Sequence, residues 1–194
     1  MARARQNRAD RGAERCVTWD STCAREAAPF ERQPLEPSPR CERERVHTPG
    51  ATTIRALAET FGVGGWRTLK ALFLSTERGK LIFVVVRGDL DVSLVKLGSV
   101  VDSIRLRPVS EVQIITCGAV PGFASWIVGM AVTGSAGLEG VQVIADPSVF
   151  SGTDFAAGAN EADYHLIHVD PRRDLAKTQE ADFALASSGA RCAT

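Results

Sequence analysis

Hydrophobic positions change their spacing several times along the chain, and the first clear change comes after residue 50. Four apolar residues there recur at helical spacing: Ile54, Leu57, Ala58 and Phe61. This period of three to four residues predicts an amphipathic helix. Thr52 or Thr53 is suited to cap its first turn, and Gly62 is suited to end it.

Continuous apolar runs follow, and they predict strands that are buried on both faces. The clearest runs are residues 81–86 and 141–145, and residues 154–158 and 164–169 have the same character. Residues 66–75 are compatible with either a strand or a short helix.

Shorter amphipathic stretches between these runs predict further helices. One follows Asp89 and includes Val95 and Leu97, and another opens at residues 108–111 and continues to about residue 115. Residues 118–140 are rich in glycine and small side chains, which predicts loops around one short element. Strands and short helices without regular βαβ spacing indicate an α+β fold, with a mixed β-sheet and short helices packed around it.

Charge is balanced over the whole chain of 194 residues, with 23 Lys and Arg against 23 Asp and Glu. A neutral chain is not a general polyanion binder, so any contact with nucleic acid must use local charge. The longest apolar run, residues 81–86, is far shorter than the roughly 20 residues of a membrane-spanning helix. We therefore expect no membrane partner. Residues 1–48 lack the continuous apolar core of a secretory signal, and their eight acidic residues argue against a transit peptide, so we expect a cytoplasmic location. The oligomeric state is open, with a monomer favoured.

The charges are unevenly distributed along the chain. Residues 1–48 hold ten of the nineteen arginines and four of the nine prolines, yet no lysine. They also lack a sustained apolar period, which predicts a flexible, Arg- and Pro-rich tail over residues 1–45. The folded domain is expected over residues 46–174, and residues 175–194 are expected to form a tail or a short helix.

Metal and disulfide chemistry are not indicated by the sequence. The cysteines are odd in number, and no two of them have the spacing of a zinc site: Cys16, Cys23, Cys41, Cys117 and Cys192. His165 and His168 are three positions apart in a predicted strand, so their side chains point to opposite faces. We therefore expect no metal, no disulfide and no cofactor.

Generic catalytic signatures are absent as well, since the chain has no glycine-rich phosphate loop and no Gly-x-Ser-x-Gly elbow. Two residues are nevertheless unusual in their surroundings. Lys70 lies within an apolar stretch, and Asp146 directly follows a predicted core strand. Both also have structural interpretations, because a lysine can extend its ammonium out of an apolar surface and an aspartate can cap a strand end.

Longer motifs carry a resemblance to a known family. They are His47-Thr48-Pro49-Gly50, Thr68-Leu69-Lys70, Val84-Val85-Val86-Arg87-Gly88-Asp89, Val143-Ile144-Ala145-Asp146 and Gly158-Ala159-Asn160-Glu161-Ala162-Asp163-Tyr164-His165. Residues 46–174 resemble the editing domain inserted into bacterial prolyl-tRNA synthetases, which also occurs in free-standing YbaK-like proteins. The flanking residues resemble the stretches by which the synthetase chain enters and leaves this domain.

The resemblance implies the fold of that domain and the hydrolysis of mischarged tRNA. Editing domains of this kind cleave the ester between a wrong amino acid, typically alanine, and the terminal ribose of proline tRNA. The family reaction uses water, assisted by the neighbouring ribose hydroxyl, and needs no metal. The implied partners are mischarged proline tRNA and, in addition, prolyl-tRNA synthetase.

The resemblance also assigns roles to individual residues. Lys70 matches the essential lysine of the family, which would bind the terminal nucleotide or its phosphate. Gly122 matches the first glycine of the loop that holds the aminoacyl ester. Asp146 and His165 match polar residues of the pocket, and Thr48 matches a threonine that limits the size of the pocket.

One loop departs from the family pattern. Where the family carries a proline, this chain has Ser125-Trp126, so the fixed φ of proline is lost and a large side chain stands beside the pocket. A non-catalytic module that binds tRNA or a synthetase, and an isolated fragment of a prolyl-tRNA synthetase, are therefore the alternatives. Lys96 matches a family lysine near the tRNA end, but a solvated helix lysine is the simpler interpretation.

Overall fold

The structure is a computed structural model, and it describes residues 27, 29–32, 34–36, 38, 41–127, 141–175 and 178–186. The predicted tail up to residue 26, the second half of the predicted loop region at residues 128–140 and the C-terminal residues 187–194 lie outside the described residues.

Short strands and helices alternate along the described chain. The strands are β1 Glu44–His47, β2 Leu69–Thr76, β3 Leu81–Arg87, β4 Leu106–Pro108, β5 Gln142–Ala145, β6 Phe155–Gly158, β7 Tyr164–Val169 and β8 Gln179–Glu180. The α-helices are α1 Ile54–Phe61, α2 Leu94–Val101, α3 Glu111–Thr116 and α4 Pro171–Asp174, and 3₁₀ turns lie at Gly65–Arg67 and Pro147–Phe150. Residues 66–75, which allowed two interpretations, are therefore mostly strand.

The ends of α1 show why the spacing of its apolar residues was a sufficient signal. The Thr53 hydroxyl accepts a hydrogen bond from the amide of Ala56, and Gly62 ends the helix with a φ of 63°. The capping hydroxyl provides a partner for an amide that the first helical turn leaves free, and glycine tolerates the left-handed conformation that stops the helix. Helix α1 therefore begins and ends where the sequence predicts.

The strands form two sheets. One has five strands in the order β4-β2-β3-β5-β8, and the other has three strands in the order β1-β7-β6. The larger sheet is mixed, because β2 and β3 run antiparallel whereas β3 and β5 run parallel. The predicted α+β class with a mixed sheet is confirmed, and the smaller antiparallel sheet is an addition to it.

Strand β3 carries hydrophobic side chains on both faces, which is why its sequence is continuously apolar. Phe83 and Val85 pack into a core cluster with residues of β6 and β7. Ile82, Val84 and Val86 point the other way and pack into a second cluster with residues of α2 and of the C-terminal segment. Each face of the large sheet is therefore covered by a different layer.

The chain segments that flank the domain take part in the second cluster. Phe183 is fully buried there, and Phe30 is 4% exposed. Strand β8 also pairs with β5 in parallel. The described residues 178–186 therefore form an edge strand and a packed segment, not the expected tail or short helix. A few apolar side chains of this segment fill a gap in the core, and the sequence alone does not reveal that gap. Phe30 likewise differs from the flexible state expected for its segment.

In the parts of the chain that the structure describes, no helix is both long enough and apolar enough to cross a membrane.

Candidate functional site

A cavity of about 180 Å³ lies where α1, β2, the loop at residues 121–124 and β7 meet. Its walls are mixed, with apolar side chains from α1 and β2 and backbone from the loop. Three of the residues selected from the sequence line this one cavity: Lys70, Gly122 and His165. They are far apart in the chain, so the fold brings them together.

Lys70 is the second residue of β2, and its ammonium lies at the edge of the cavity. The Nζ atom donates to the carbonyl of Leu90 and to Oδ1 of Asp91, both at 2.8 Å. Neither partner is among the residues that line the cavity. The Lys70 side chain is 25% exposed and that of Asp91 is 80% exposed, so this ion pair is open to water and contributes little stability.

Gly122 gives the loop its shape. Its φ of 79° lies in the left-handed region that favours glycine, and a Cβ there would also lie 3.2 Å from Cγ2 of Thr52. Asn160 holds the same loop from the other side, because its side chain accepts from the amide of Val120 at 2.9 Å and donates to the carbonyl of Gly118 at 3.1 Å. The loop backbone is thus held in position before any ligand binds.

Gly158 forms the floor beneath this loop. A Cβ at this position would lie 2.3 Å from the carbonyl oxygen of Phe123 and 2.7 Å from that of Ala124. Real side chains do not approach backbone atoms that closely, so the loop can rest on β6 only where β6 has no side chain.

His165 lines the cavity and forms a buried hydrogen-bonded pair with Thr48. The distance from Thr48 Oγ1 to His165 Nδ1 is 2.6 Å. Burial lowers the pKa of His165 to about 4, so the imidazole is neutral at pH 7. Thr48 is only 1% exposed and does not line the cavity itself. It acts on the cavity indirectly, because its hydrogen bond orients His165.

Asp146 is not brought to this cavity. Its side chain is completely buried and accepts hydrogen bonds from the guanidinium of Arg32 at 2.8 and 3.1 Å. Oδ2 also accepts from the amides of Phe183 and Ala184, and Oδ1 accepts from the amide of Ser148. Burial by itself raises the pKa of this carboxyl, but the hydrogen bonds and the charge of Arg32 outweigh it and the pKa is lowered.

The side chain of Lys96 contacts the same group of residues and does not extend into the solvent. Its side chain is 8% exposed, and Nζ donates to Oδ1 of Asp182 at 3.1 Å and to the carbonyl of Ala184 at 2.9 Å. The interpretation as a solvated helix lysine is therefore wrong, because the C-terminal segment covers this face of α2. We call the group formed by Arg32, Lys96, Asp146, Asp182 and the backbone of residues 183–184 the Asp146 clasp.

Comparison with known proteins gives the site its context. A family model for the aminoacyl-tRNA editing domain matches residues 48–175. The chain belongs to this family. The prediction drawn from the sequence motifs is thereby confirmed, and the matched range contains every residue that lines the 180 Å³ cavity.

The relatives of this editing domain include much longer proteins. The proline–tRNA ligase of Salinispora tropica is 36% identical over 186 residues, which cover 92% of this chain and 30% of the ligase. That of Dehalococcoides mccartyi is 36% identical over 177 residues, covering 91% of this chain and 29% of the ligase. The chain thus spans about 30% of the length of these relatives.

A solved structure supports the fold. It is the crystal structure of a candidate trans-editing enzyme for prolyl tRNA synthetase, with a TM-score of 0.58 and 17% sequence identity. The match covers 73% of this chain and 86% of the other. At this level of identity, the likeness establishes the fold.

Reasoning from the sequence missed three polar residues that shape the site of the editing domain. Asp91 holds the ammonium of Lys70, and Asn160 holds the loop of Gly122. Asp163 accepts from the amide of Gly50 at 2.9 Å and thereby anchors the turn after Thr48. Asn160 and Asp163 lie inside the longest matched motif, so that motif was the available signal for them.

Among the described residues, no three His, Cys, Asp or Glu side chains are grouped as a metal site would require. The polar groups of the cavity are one ammonium at its edge, one neutral imidazole and backbone amides and carbonyls. Such a set can bind and orient an ester and an adjoining hydroxyl or phosphate through hydrogen bonds.

Proposed function

We propose that this editing domain hydrolyses the ester bond of a mischarged proline tRNA that carries a small amino acid, with alanyl-tRNA as the first substrate to test. The observation that carries the proposal is the meeting of Lys70, Gly122 and His165 on one cavity. Membership of the editing-domain family supports hydrolysis of an aminoacyl ester as the reaction class, and the cavity is where we expect the ester to bind.

The size of the cavity suits the task of editing. A volume of about 180 Å³ lies below the ~300–1,000 Å³ of pockets that bind drug-sized ligands, which suits a small aminoacyl group. A synthetic site cannot strongly reject a smaller apolar amino acid, because one missing methylene carries only about 1–3 kcal/mol. A second site with a smaller cavity can hydrolyse the tRNA that carries the smaller, wrong amino acid. The same cavity is too small to admit the larger, correct amino acid.

Lys70 would bind the phosphate or ribose of the terminal nucleotide. Its ammonium is a compact charge on a flexible stem, and its partner Asp91 is largely in water. Exchanging such an exposed carboxylate for a phosphate loses little, since the ion pair is weak. In this proposal, Lys70 leaves Asp91 when the tRNA end arrives at the edge of the cavity.

The remaining residues would position the reacting groups. The backbone of the loop at Gly122 lies against the space where the ester would bind, and its fixed conformation would orient the carbonyl group. His165 is neutral at pH 7, so it would serve as a hydrogen-bonding group and not as a positive charge. Water would attack the ester carbonyl with assistance from the neighbouring ribose hydroxyl, and the ester oxygen would leave as the second ribose hydroxyl.

The test is the rate of ester loss from alanyl-tRNA of the proline type. Lys70→Ala should lower the rate by about 100-fold, which is the typical loss when one preorganised charge-stabilising group is removed. Lys80→Ala is the matched control, because Lys80 bonds Gln142 at the surface, outside the cavity, and should leave the rate unchanged. Equal, background-level rates in wild type and both variants would refute the proposal.

A non-catalytic module that holds the tRNA end is the second candidate. The observation that favours it is the loop sequence Ser125-Trp126, which departs from the family pattern directly after the Gly122 loop that lines the cavity. Binding of proline tRNA that is lost in Lys70→Ala but occurs without turnover would support this candidate over the hydrolase.

A further inference from the structure

Trp66 is a large aromatic side chain that the fold leaves half in water. It lies in the 3₁₀ turn Gly65–Arg67 between α1 and β2, and it is 52% exposed. Among the large exposed hydrophobic side chains of the described residues, it is the only aromatic one. No other aromatic ring in the described part of the chain packs on it. Its indole therefore presents an unoccupied aromatic surface to a ligand.

The indole ring rests on the backbone of Gly64. A Cβ at Gly64 would lie 2.4, 2.4 and 2.5 Å from three consecutive carbons of the six-membered ring. Nearly equal distances to three atoms of one ring place this position over the face of the ring and not beside its edge. The main chain thus covers one face of the ring, which is possible because glycine has no side chain. The ring is held in place before any ligand binds, so little order has to be imposed on it.

The exposed indole borders a cavity of about 400 Å³, which is larger than the 180 Å³ cavity. This volume lies within the ~300–1,000 Å³ of pockets that bind small organic ligands. The charged residues of its lining are balanced, with Arg67 and Arg87 against Glu36 and Asp89. A lining without net charge gives a phosphate no particular advantage, and it suits a neutral aromatic ring that can stack on Trp66.

The charged side chains of this cavity leave hydrogen-bond acceptors available. Arg67 donates to the carbonyls of Glu36 and Thr153, at 2.9 and 2.8 Å. Asp89 accepts from Nε and Nη2 of Arg87, at 2.6 and 3.0 Å. Each carboxylate oxygen can accept more than one hydrogen bond, so Asp89 keeps capacity for a further donor. The exocyclic amino group of cytosine or adenine is such a donor.

The 400 Å³ cavity and the 180 Å³ cavity are neighbours. Ile54 lines the 180 Å³ cavity, and its Cγ2 lies 3.7 Å from the Cβ position of Gly65 and 3.0 Å from that of Gly88. These two glycines are the chain neighbours of residues that line the 400 Å³ cavity. One side chain of α1 therefore packs against the segments that form both spaces.

One turn of the chain, residues 88–91, connects the two cavities. Asp89 lines the 400 Å³ cavity, and Asp91 binds the ammonium of Lys70 at the edge of the 180 Å³ cavity. An RNA strand whose terminal nucleotide lies at Lys70 can pass over this turn and place the preceding base beside Trp66.

We propose that Trp66 is a stacking platform for an unpaired base that precedes the terminal nucleotide of the tRNA, and that Glu36 and Asp89 accept from the amino group of this base. The inference rests on the proposed function, because it takes the terminal nucleotide to lie at Lys70. Proteins commonly recognise single-stranded RNA by stacking its bases on aromatic side chains. The cytidines that precede the terminal adenosine of a tRNA are unpaired and carry the required amino group.

The experiment measures the Kd of uncharged proline tRNA by fluorescence anisotropy of a 5′-labelled transcript. A second transcript lacks the unpaired 3′ nucleotides. Trp66→Ala should weaken binding of the full transcript by about 5- to 100-fold, which is the effect of losing one stacked base. Trp66→Phe keeps an aromatic face and should weaken it by less than about 5-fold. The truncated transcript should bind more weakly, and equally to wild type and both variants.

A matched pair of glycine substitutions tests the position of the ring. Gly64→Ala keeps the indole but displaces it, because the new Cβ would take the space of the ring, and binding of the full transcript should weaken. Gly65→Ala meets nothing closer than 3.7 Å and should not change binding. Ile104→Ala removes a side chain that is 95% exposed and lines neither cavity, and it should not change binding either. Thermal unfolding verifies that each variant is folded.

Three results would overturn the inference. The first is an affinity for the full transcript that Trp66→Ala leaves unchanged, or wild-type binding that is equal for the two transcripts. The second is an equal loss for both transcripts in Trp66→Ala, because Trp66 would then contact the paired stem. The third is an unchanged affinity for tRNA with a weakened affinity for prolyl-tRNA synthetase, which would make Trp66 part of a protein-docking surface.

This inference and the proposed function can fail separately, because binding of uncharged tRNA involves no ester. If no ester is hydrolysed but Trp66→Ala selectively weakens binding of the full transcript, the hydrolase proposal fails and the stacking platform stands. If alanyl-tRNA is hydrolysed and Trp66→Ala changes neither kcat/KM nor the Kd of the full transcript, the stacking platform fails and the hydrolase stands.

Discussion

The Asp146 clasp and the 180 Å³ cavity both contain buried polar side chains, and they differ in how their charged side chains are paired. In the clasp, the buried carboxylate of Asp146 accepts from Arg32 and from three backbone amides. At the cavity, the ammonium of Lys70 has a carboxylate partner, Asp91, that is 80% exposed to water. A charge whose partners are buried holds the fold together, whereas a charge whose partner is exposed can exchange that partner for a ligand.

Removing the carboxylate of the clasp should produce the largest loss of stability. Asp146→Ala leaves three buried amides without their acceptor and removes one of the two carboxylates that bind Arg32, so we expect the free energy of unfolding to fall by about 3–5 kcal/mol. Denaturant unfolding measures this loss. Asp91→Ala is the matched control at the cavity, because Asp91 is also an ion-paired aspartate but is exposed, and its loss should change stability by at most about 1 kcal/mol. Similar losses in the two variants would remove the distinction between the regions.

A methyl group beneath the loop should damage the cavity and leave the clasp intact. Gly158→Ala places a Cβ 2.3 Å from the carbonyl of Phe123, so the loop must move, at about 1–3 kcal/mol of stability. Ester hydrolysis should fall with it, because Gly122 and Ser125 shift together. Gly65→Ala is the control, since its Cβ would meet nothing closer than 3.7 Å. Hydrolysis that survives in Gly158→Ala would show that the position of the loop does not matter.

Acid should affect the two regions in different pH ranges. The pKa of His165 falls from 6.5 to about 4 on folding, so the unfolded chain binds the additional proton and stability declines as the pH falls from 6.5 to 4. This single proton contributes at most about 1.4 kcal/mol per pH unit. The pKa of Asp146 is lowered below 3.8, so the contribution of the clasp is complete above pH 3.8 and is lost only at lower pH, as the pH passes through that lowered pKa.

Denaturant unfolding of wild type and His165→Gln between pH 7 and 4 measures the contribution of the histidine. The difference in unfolding free energy between the two proteins should shrink as the pH falls across this range. A difference that is independent of pH would mean that His165 keeps its ordinary pKa in the folded chain.

Much of this architecture could be predicted from local sequence signals. Helix α1 follows from its apolar period, the cap at Thr53 and the stop at Gly62. Strand β3 follows from an apolar run that is buried on both faces. The division into two sheets could not be predicted, because strand order depends on contacts between segments that are distant in the chain.

The site was predictable in part, for a similar reason. Lys70, Gly122 and His165 were selected from motifs, and the structure places them on one cavity. Asp146 was selected by the same reasoning, but it lies in the clasp. A strand-end aspartate that faces a cleft and one that binds an arginine 114 positions away have the same local sequence, so only the fold separates them.

The clasp also brings together the two ends of the domain. Arg32, which precedes the first strand, and Asp182, which follows the last strand, are 150 positions apart in the chain, yet their side chains are in contact at 2.5 Å. A domain whose entry and exit lie side by side can be inserted into a surface loop of a host protein, or removed from it, without moving apart the two host segments that flank it. The carboxylate of Asp146 would then lie where the inserted domain joins its host. Because the clasp holds both ends of the domain together, the domain can be inserted into a host as one folded unit.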